Sequence, residues 1–253
     1  MDRMVLNGIL YVLVTGCRWM DIPHRYRHYS TTWRRLKRWQ KEGVWKRILE
    51  ALIAKGYSIG RLSLEKVAVD STTVEARKGE ARRLRWIQTP EGSKFHVAVS
   101  RETLPLSVVV GSGEEHDSKR FRDVMEGVKV KYGVRRSRSR PGEVYADQAY
   151  DTREIREYLR RRIKANIPVN PRNRGKPRRG RPYRLKRETY KRMRSCGKRA
   201  FAWLKSFRRI TIRYERLKTT FLGLRPDSMH AHTPKGYEMD SLLIKLRKEI
   251  FHH

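Results

Sequence analysis

The chain has 253 residues, and 61 Lys and Arg against 26 Asp and Glu give it a formal net charge of +35. A hydrophobic fraction of 38% is enough for a core, so a wholly disordered chain is excluded. Two cysteines, Cys17 and Cys196, cannot build a disulfide scaffold, and no apolar run has the length of a membrane span; a reducing cytoplasm is expected, with a polyanion such as DNA or RNA as partner.

The N-terminal residues read as helical. Leu6, Ile9, Leu10 and Leu13 share one face, and Gly16 stops the first helix. Asp21–Pro23 is a turn. Ser30–Thr32 offers an N-cap to a second helix carrying Trp33, Leu36 and Trp39, and Gly43 separates it from a third over Val44–Ala54. From Leu64 the pattern changes to short strands. Glu65–Asp70, Lys94–Ser100 and Leu104–Gly111 alternate or carry β-branched residues, with a hairpin turn near Thr103 and a polar insert over Glu75–Gly92. His116–Ser118 reads as a cap before a helix with Phe121, Val124 and Met125, and Arg135–Gly142 as a basic loop. Gly142–Asp147 is a strand, Thr152–Ile163 a helix, Ala165–Val169 a strand, and Arg187–Lys205 a long helix. The order predicts an α/β fold, a mixed sheet flanked by helices, preceded by a small all-α domain.

The charge is concentrated. Residues 171–220 hold 20 Lys and Arg and only two acids, Glu188 and Glu215. Over Ala200–Leu217 the bases interleave with Phe201, Trp203, Leu204, Phe207 and Ile210, so one face packs while the bases of the other can track phosphates. Lys205, Arg208, Arg209 and Arg213, with Arg194 on the preceding helix, are the candidate DNA contacts. Asp70 and Asp147 each close a short apolar strand. Two carboxylates at neighbouring strand ends suit a hard divalent ion that takes waters and substrate phosphates as its other ligands. Each could equally cap the turn that follows it.

Five ordered segments carry a resemblance: GILYVLVTGCRWMDIP with YSTTWRRLKRWQKEGVWKRILEAL, VAVDSTTVEA, KFHVAVS with LPLSVVVGSGEEHDSKRF, VYADQAYDTREIREYLRRRIKANIPVNPR, and FAWLKSFRRITIRYERLKTTFLGL. The chain resembles DDE transposases of prokaryotic insertion sequences, of the insertion-sequence-four/five type. The resemblance implies a helical DNA-binding domain over 1–60 and an RNase H-like catalytic domain over 61–224 with a basic linker at 171–187. It implies Mg²⁺, or Mn²⁺ in its place, at the metal-binding catalytic residues Asp70 and Asp147. Double-stranded DNA, both transposon ends and target, is the implied substrate, cleaved and then joined through its 3′-hydroxyl. A homodimer in a synaptic complex and a nucleoid-associated location are implied as well.

The sequence departs from that pattern at one telling position. The family's glutamate lies four residues after an arginine and seven before a lysine. Here these are Arg194 and Lys205, and Lys198 stands in the glutamate's place. The family's tyrosine would fall at Lys191, one place from Tyr190. A positive charge beside the metal-binding acids is expected to weaken cleavage, and the rival reading is a catalytically dead DNA-binding remnant that represses transposition. A plain RNA-binding protein is disfavoured because it leaves the paired aspartates without a purpose. The 225–253 tail departs from the family's apolar final helix and is expected to be poorly ordered.

Overall fold

A computed structural model describes residues 2–76, 92–132, 136–160, 162–173 and 182–213. In chain order they form α1 (Asp2–Thr15), α2 (Tyr29–Lys41), α3 (Val44–Ser58), β1 (Lys66–Ala76), β2 (Gly92–Ser100), β3 (Pro105–Ser112), α4 (Phe121–Gly127), β4 (Val130–Tyr132), β5 (Arg136–Arg138), β6 (Glu143–Ala146), α5 (Arg153–Arg160), β7 (Lys164–Asn166), α6 (Arg187–Lys205), α7 (Arg208–Thr211) and β8 (Ile212–Arg213). Expectations for the 225–253 tail, for Glu215 and for the middle of the 171–187 linker lie outside the described residues. No helix among the described residues is long and apolar enough to cross a membrane.

The contacts divide the chain into two compact units. Among the described residues, the first gathers those up to 52, the end of β1, and residues 203–213. In it α1 buries Val5, Ile9, Leu10, Val12 and Leu13. Gly16 ends α1 at φ +73°, a backbone that suits glycine, and a Cβ on it would sit 2.8 Å from Arg208 Cβ. The expected cap of α2 shifts: the helix starts at Tyr29, with His28 at the cap position and its Nδ1 2.8 Å from Ser30 Oγ. Thr32 is buried instead, its hydroxyl donating to the Arg27 carbonyl at 3.2 Å.

The second unit, residues 53–73 and 90–202, holds the sheet. Its strand order is β3-β2-β1-β6-β7. β2 and β3 are antiparallel, while β1–β6 and β6–β7 are parallel. This is the mixed RNase H-like sheet. Alternation along β1 sets two faces. Ala68 packs with Tyr145 of β6 and Met193 of α6, and Tyr190 joins them. The helix α4 lies on β2 and β3, where its Phe121, Val124 and Met125 are buried. Two ties fix α6. Asn166 Oδ1 accepts from the Lys186 N–H at 3.2 Å, and Cys196 Sγ donates to the Arg101 carbonyl at 3.3 Å. Cys196 is therefore a packing and hydrogen-bonding residue.

Some element boundaries differ from the expectation. β1 runs on past Asp70 to Ala76, so Asp70 lies inside a strand; what ends there is its pairing with β6. The basic 135–142 stretch contains β5, which pairs antiparallel with β4. Its alternation is carried by Arg and Ser, so hydrophobic periodicity gives no sign of it.

Candidate active site

Register brings the two aspartates together. Lys66–Val69 of β1 lie beside Glu143–Ala146 of β6 in parallel, ending with Val69 opposite Ala146. The next residue on each strand is Asp70 and Asp147. Both fall two positions beyond the Ala68–Tyr145 pair, so both side chains point to the face that α6 covers.

Arg194 of α6 closes the pair. Its Nη1 is 3.6 Å from Asp70 Oδ1 and its Nη2 is 3.1 Å from Asp147 Oδ2. Burial pushes the Asp70 carboxyl above the ordinary carboxylate range, while Arg194 and the Ser71 N–H, 2.9 Å from Asp70 Oδ1, act to lower it. Burial alone would lower the Arg194 guanidinium, but the two carboxylates more than offset this and raise it. One turn on, Gly197 leaves room: a Cβ there would stand 3.4 Å from Asp70 Oδ2. Lys198, the next residue, is exposed.

A third acid, Asp117, belongs to the surroundings of Asp70. It follows the cap residue His116, whose Nδ1 accepts from the Ser118 N–H as expected. Lys94 Nζ is 3.0 Å from Asp117 Oδ1. Burial works to raise the Asp117 carboxyl, yet hydrogen bonds from Lys94 and Ser71 hold it below the ordinary range. The charge of Asp117 in turn adds to the upward push on Asp70. Tyr150, wholly buried, has its phenol pushed up by burial and then by Asp117 and Asp70. Asp117 reads in the sequence as a helix cap, and its role beside Asp70 depends on a sheet contact that no local pattern reveals. Tyr190, one place off the family's spacing, is half-buried over the Ala68–Tyr145 pair.

The donor set suits one hard divalent ion. Two adjacent carboxylates supply oxygen ligands, and waters with a phosphate could complete the shell. No group of three His, Cys, Asp or Glu that could hold a metal ion occurs among the described residues. The other nearby acids are committed elsewhere. Glu188 is exposed beside Lys191 at 3.9 Å, and Glu143 accepts from Tyr145 and Lys186 at the start of β6.

The candidate DNA contacts separate. Arg194 faces the aspartates, not open solvent. Arg209 is 7% exposed, and its Nη1 donates to the Cys17 carbonyl at 3.3 Å, closing the C-terminal end of α1. Its guanidinium is engaged within the fold, whereas the sequence pattern places it on an open face. Lys205 and Arg208 are exposed. Of Arg213 the structure describes the backbone, which lies beside Ala76.

The mixed sheet thus carries two aspartates side by side at the β1–β6 junction. Residues 62–224 match the family described as the transposase DDE domain, and residues 1–49 match the putative transposase of the IS4/5 family. The chain belongs to the DDE-domain transposases of insertion sequences. A putative transposase for insertion sequence element IS6501 from Brucella ovis is 32% identical over 133 residues, 52% of this chain and 89% of that protein. An uncharacterized 16.2 kDa protein of insertion element IS402 from Burkholderia cepacia is 44% identical over 77 residues, 30% of this chain and 52% of the relative. The uncharacterized protein y4sN of Sinorhizobium fredii is 32% identical over 80 residues, and this chain spans 59% of it. The chain thus covers little more than half the length of these last two relatives.

Proposed function

We propose that the chain binds the DNA ends of its insertion sequence and carries a weakened form of metal-dependent strand cleavage and 3′-hydroxyl transfer. The observation that carries this reading is the side-by-side pair Asp70 and Asp147, met on α6 by Arg194 and Gly197, while the helix's Glu188 lies exposed beside Lys191. A Mg²⁺ or Mn²⁺ ion held by the two aspartates would polarise a phosphodiester and favour in-line attack by water or a 3′-hydroxyl.

The residues of the chain do the rest. The Ser71 N–H fixes one oxygen of Asp70. Arg194 holds both carboxylates in one geometry and could turn to a phosphate oxygen as DNA enters. The third ligand that would steady a second ion is missing: Lys198 occupies the motif position and is exposed. A lysine in this region would repel a second cation and so withhold the charge that would stabilise a leaving oxygen. Two copies of the chain would be needed to hold two ends at once.

A second reading has its own observation. Arg194 pairs with both aspartates and offsets one of their two charges, which suits a chain that occupies DNA ends, does not cut them, and represses intact copies. Nicking of a labelled end duplex by the purified chain in Mg²⁺ or Mn²⁺ separates the two. We expect slow nicking that Lys198→Glu accelerates by at least about tenfold, a difference of about 1.4 kcal/mol in barrier, and that Asp147→Asn abolishes. Nicking unaffected by Asp147→Asn would refute the assignment of the site. Absence of nicking in both the unaltered chain and Lys198→Glu would favour the repressor.

A further inference from the structure

A cavity of about 600 Å³ opens in the second unit beside β7, at the end of the sheet path. Arg153, Arg156, Arg160, Lys164 and Arg184 line it, with Tyr183 among them. Among the described lining residues Glu157 is the one acid, so their formal charges sum to +4, and Arg153 holds that acid at 2.8 Å. Lys164 lies opposite Glu143, the first residue of β6, while Asp147 follows the last. The cavity therefore belongs to the other end of the strand from the aspartates, about 13 Å of strand away at 3.3 Å per residue.

The floor is built rather than merely charged. Arg156 is 8% exposed in its side chain and pairs with the wholly buried Asp151 at 2.8 Å. Its Nη2 donates to the Ile167 carbonyl at 2.8 Å, and its Cζ stands 3.9 Å from the centre of the Tyr183 ring. Asp151 is held in turn by the Asn170 N–H at 2.7 Å. Arg156 is thus committed to holding Tyr183 and the floor in place, and phosphate contacts fall to the cations around it. Arg160, Lys164 and Arg184 are exposed around it. Charge alone would protect an edge strand from pairing. That role requires neither a concave site nor a buried ion pair beneath it.

The geometry points to a second DNA contact: the β7-edge cavity takes phosphodiester groups of duplex DNA outside the segment engaged at Asp70 and Asp147. This rests on the reading of the chain as DNA-binding. Each phosphate neutralised there adds about 0.9 to the slope of log affinity against log salt. The test uses the full chain in EDTA, so that no strand is cut, and a duplex longer than the end sequence.

Binding is measured from 50 to 200 mM salt for the unaltered chain and for the triple variant Arg160→Gln, Lys164→Gln, Arg184→Gln. The slope is expected to fall by about 2 to 3, with unchanged circular dichroism. Lysine acetylation of the unaltered chain, read by mass spectrometry, gives a second measure independent of folding, and Lys164 is expected to be protected by DNA. An unchanged slope together with full labelling of Lys164 in the presence of DNA overturns the cavity while leaving the proposed function standing. Failure of the unaltered chain to bind DNA at all overturns both.

Discussion

The two ends of β6 solve opposite electrostatic problems. At its C-terminal end, Asp70 and Asp147 share one guanidinium, and the buried Gly197 passes beside Asp70. At its start, one carboxylate, Glu143, serves Tyr145, Lys186 and Arg184, and the cavity beside it is rich in cations. In a chain of net charge +35 the surplus says little about any one place. The parallel register sets the sign locally, because it aligns Asp70 with Asp147 at one end and Glu143 with Lys164 at the other. One end is suited to draw in a cation, and the other an anion.

The sharpest way to break this contrast is at the buried pair under the cavity. Arg156→Met removes the 2.8 Å ion pair to the wholly buried Asp151. Chemical denaturation should show a loss of about 3–5 kcal/mol. A loss below about 1 kcal/mol would mean that the floor of the cavity is not held as described.

At the acid end, Arg194→Gln should cost less, about 1–2 kcal/mol in metal-free buffer, because Asp147 is partly exposed and solvent screens the pair. The same variant should bind Mn²⁺ about tenfold more tightly by titration, since two adjacent carboxylates lose their internal cation. Unchanged or weaker Mn²⁺ binding would show that Arg194 does not oppose the ion.

The smallest effect concerns His96 on β2, 1% exposed, with no hydrogen-bond partner for either ring nitrogen among the described residues. Burial lowers its imidazole below the ordinary value of 6.5, with Asp117 and Glu115 acting to raise it and Lys94 and Arg120 to lower it. The unfolded chain then binds a proton that the folded chain refuses. Stability is full above about 6.5 and is lost as pH falls through the lower folded value. Thermal melts of His96→Gln should show a shallower decline between pH 6.5 and 5 than the unaltered chain. Parallel declines would exclude His96 as the source.

Much of this was legible in the sequence, for identifiable reasons. The long helix Arg187–Lys205 and the strands around Val67, Val97, Val108 and Val144 carry strong periodicity, and the structure shows them there. Asp70 and Asp147 stood out because each ends an apolar run. What stayed hidden depends on partners distant in sequence. Arg194 reads as a phosphate contact until the sheet places it over the aspartates. Arg209 reads as a surface base until it meets the Cys17 carbonyl. Gly197 carries no side chain to signal its closeness to Asp70, and the Arg156–Tyr183 contact spans residues no local pattern connects.

The central claim is that this site has the ligands for one divalent ion and lacks those for a second. Mn²⁺ stoichiometry on the full chain bound to an end duplex, by electron paramagnetic resonance, tests it directly. The account predicts one ion per chain, lost in Asp70→Asn, and a second gained in Lys198→Glu. Two tightly bound ions on the unaltered chain, or one that survives Asp70→Asn, would contradict it.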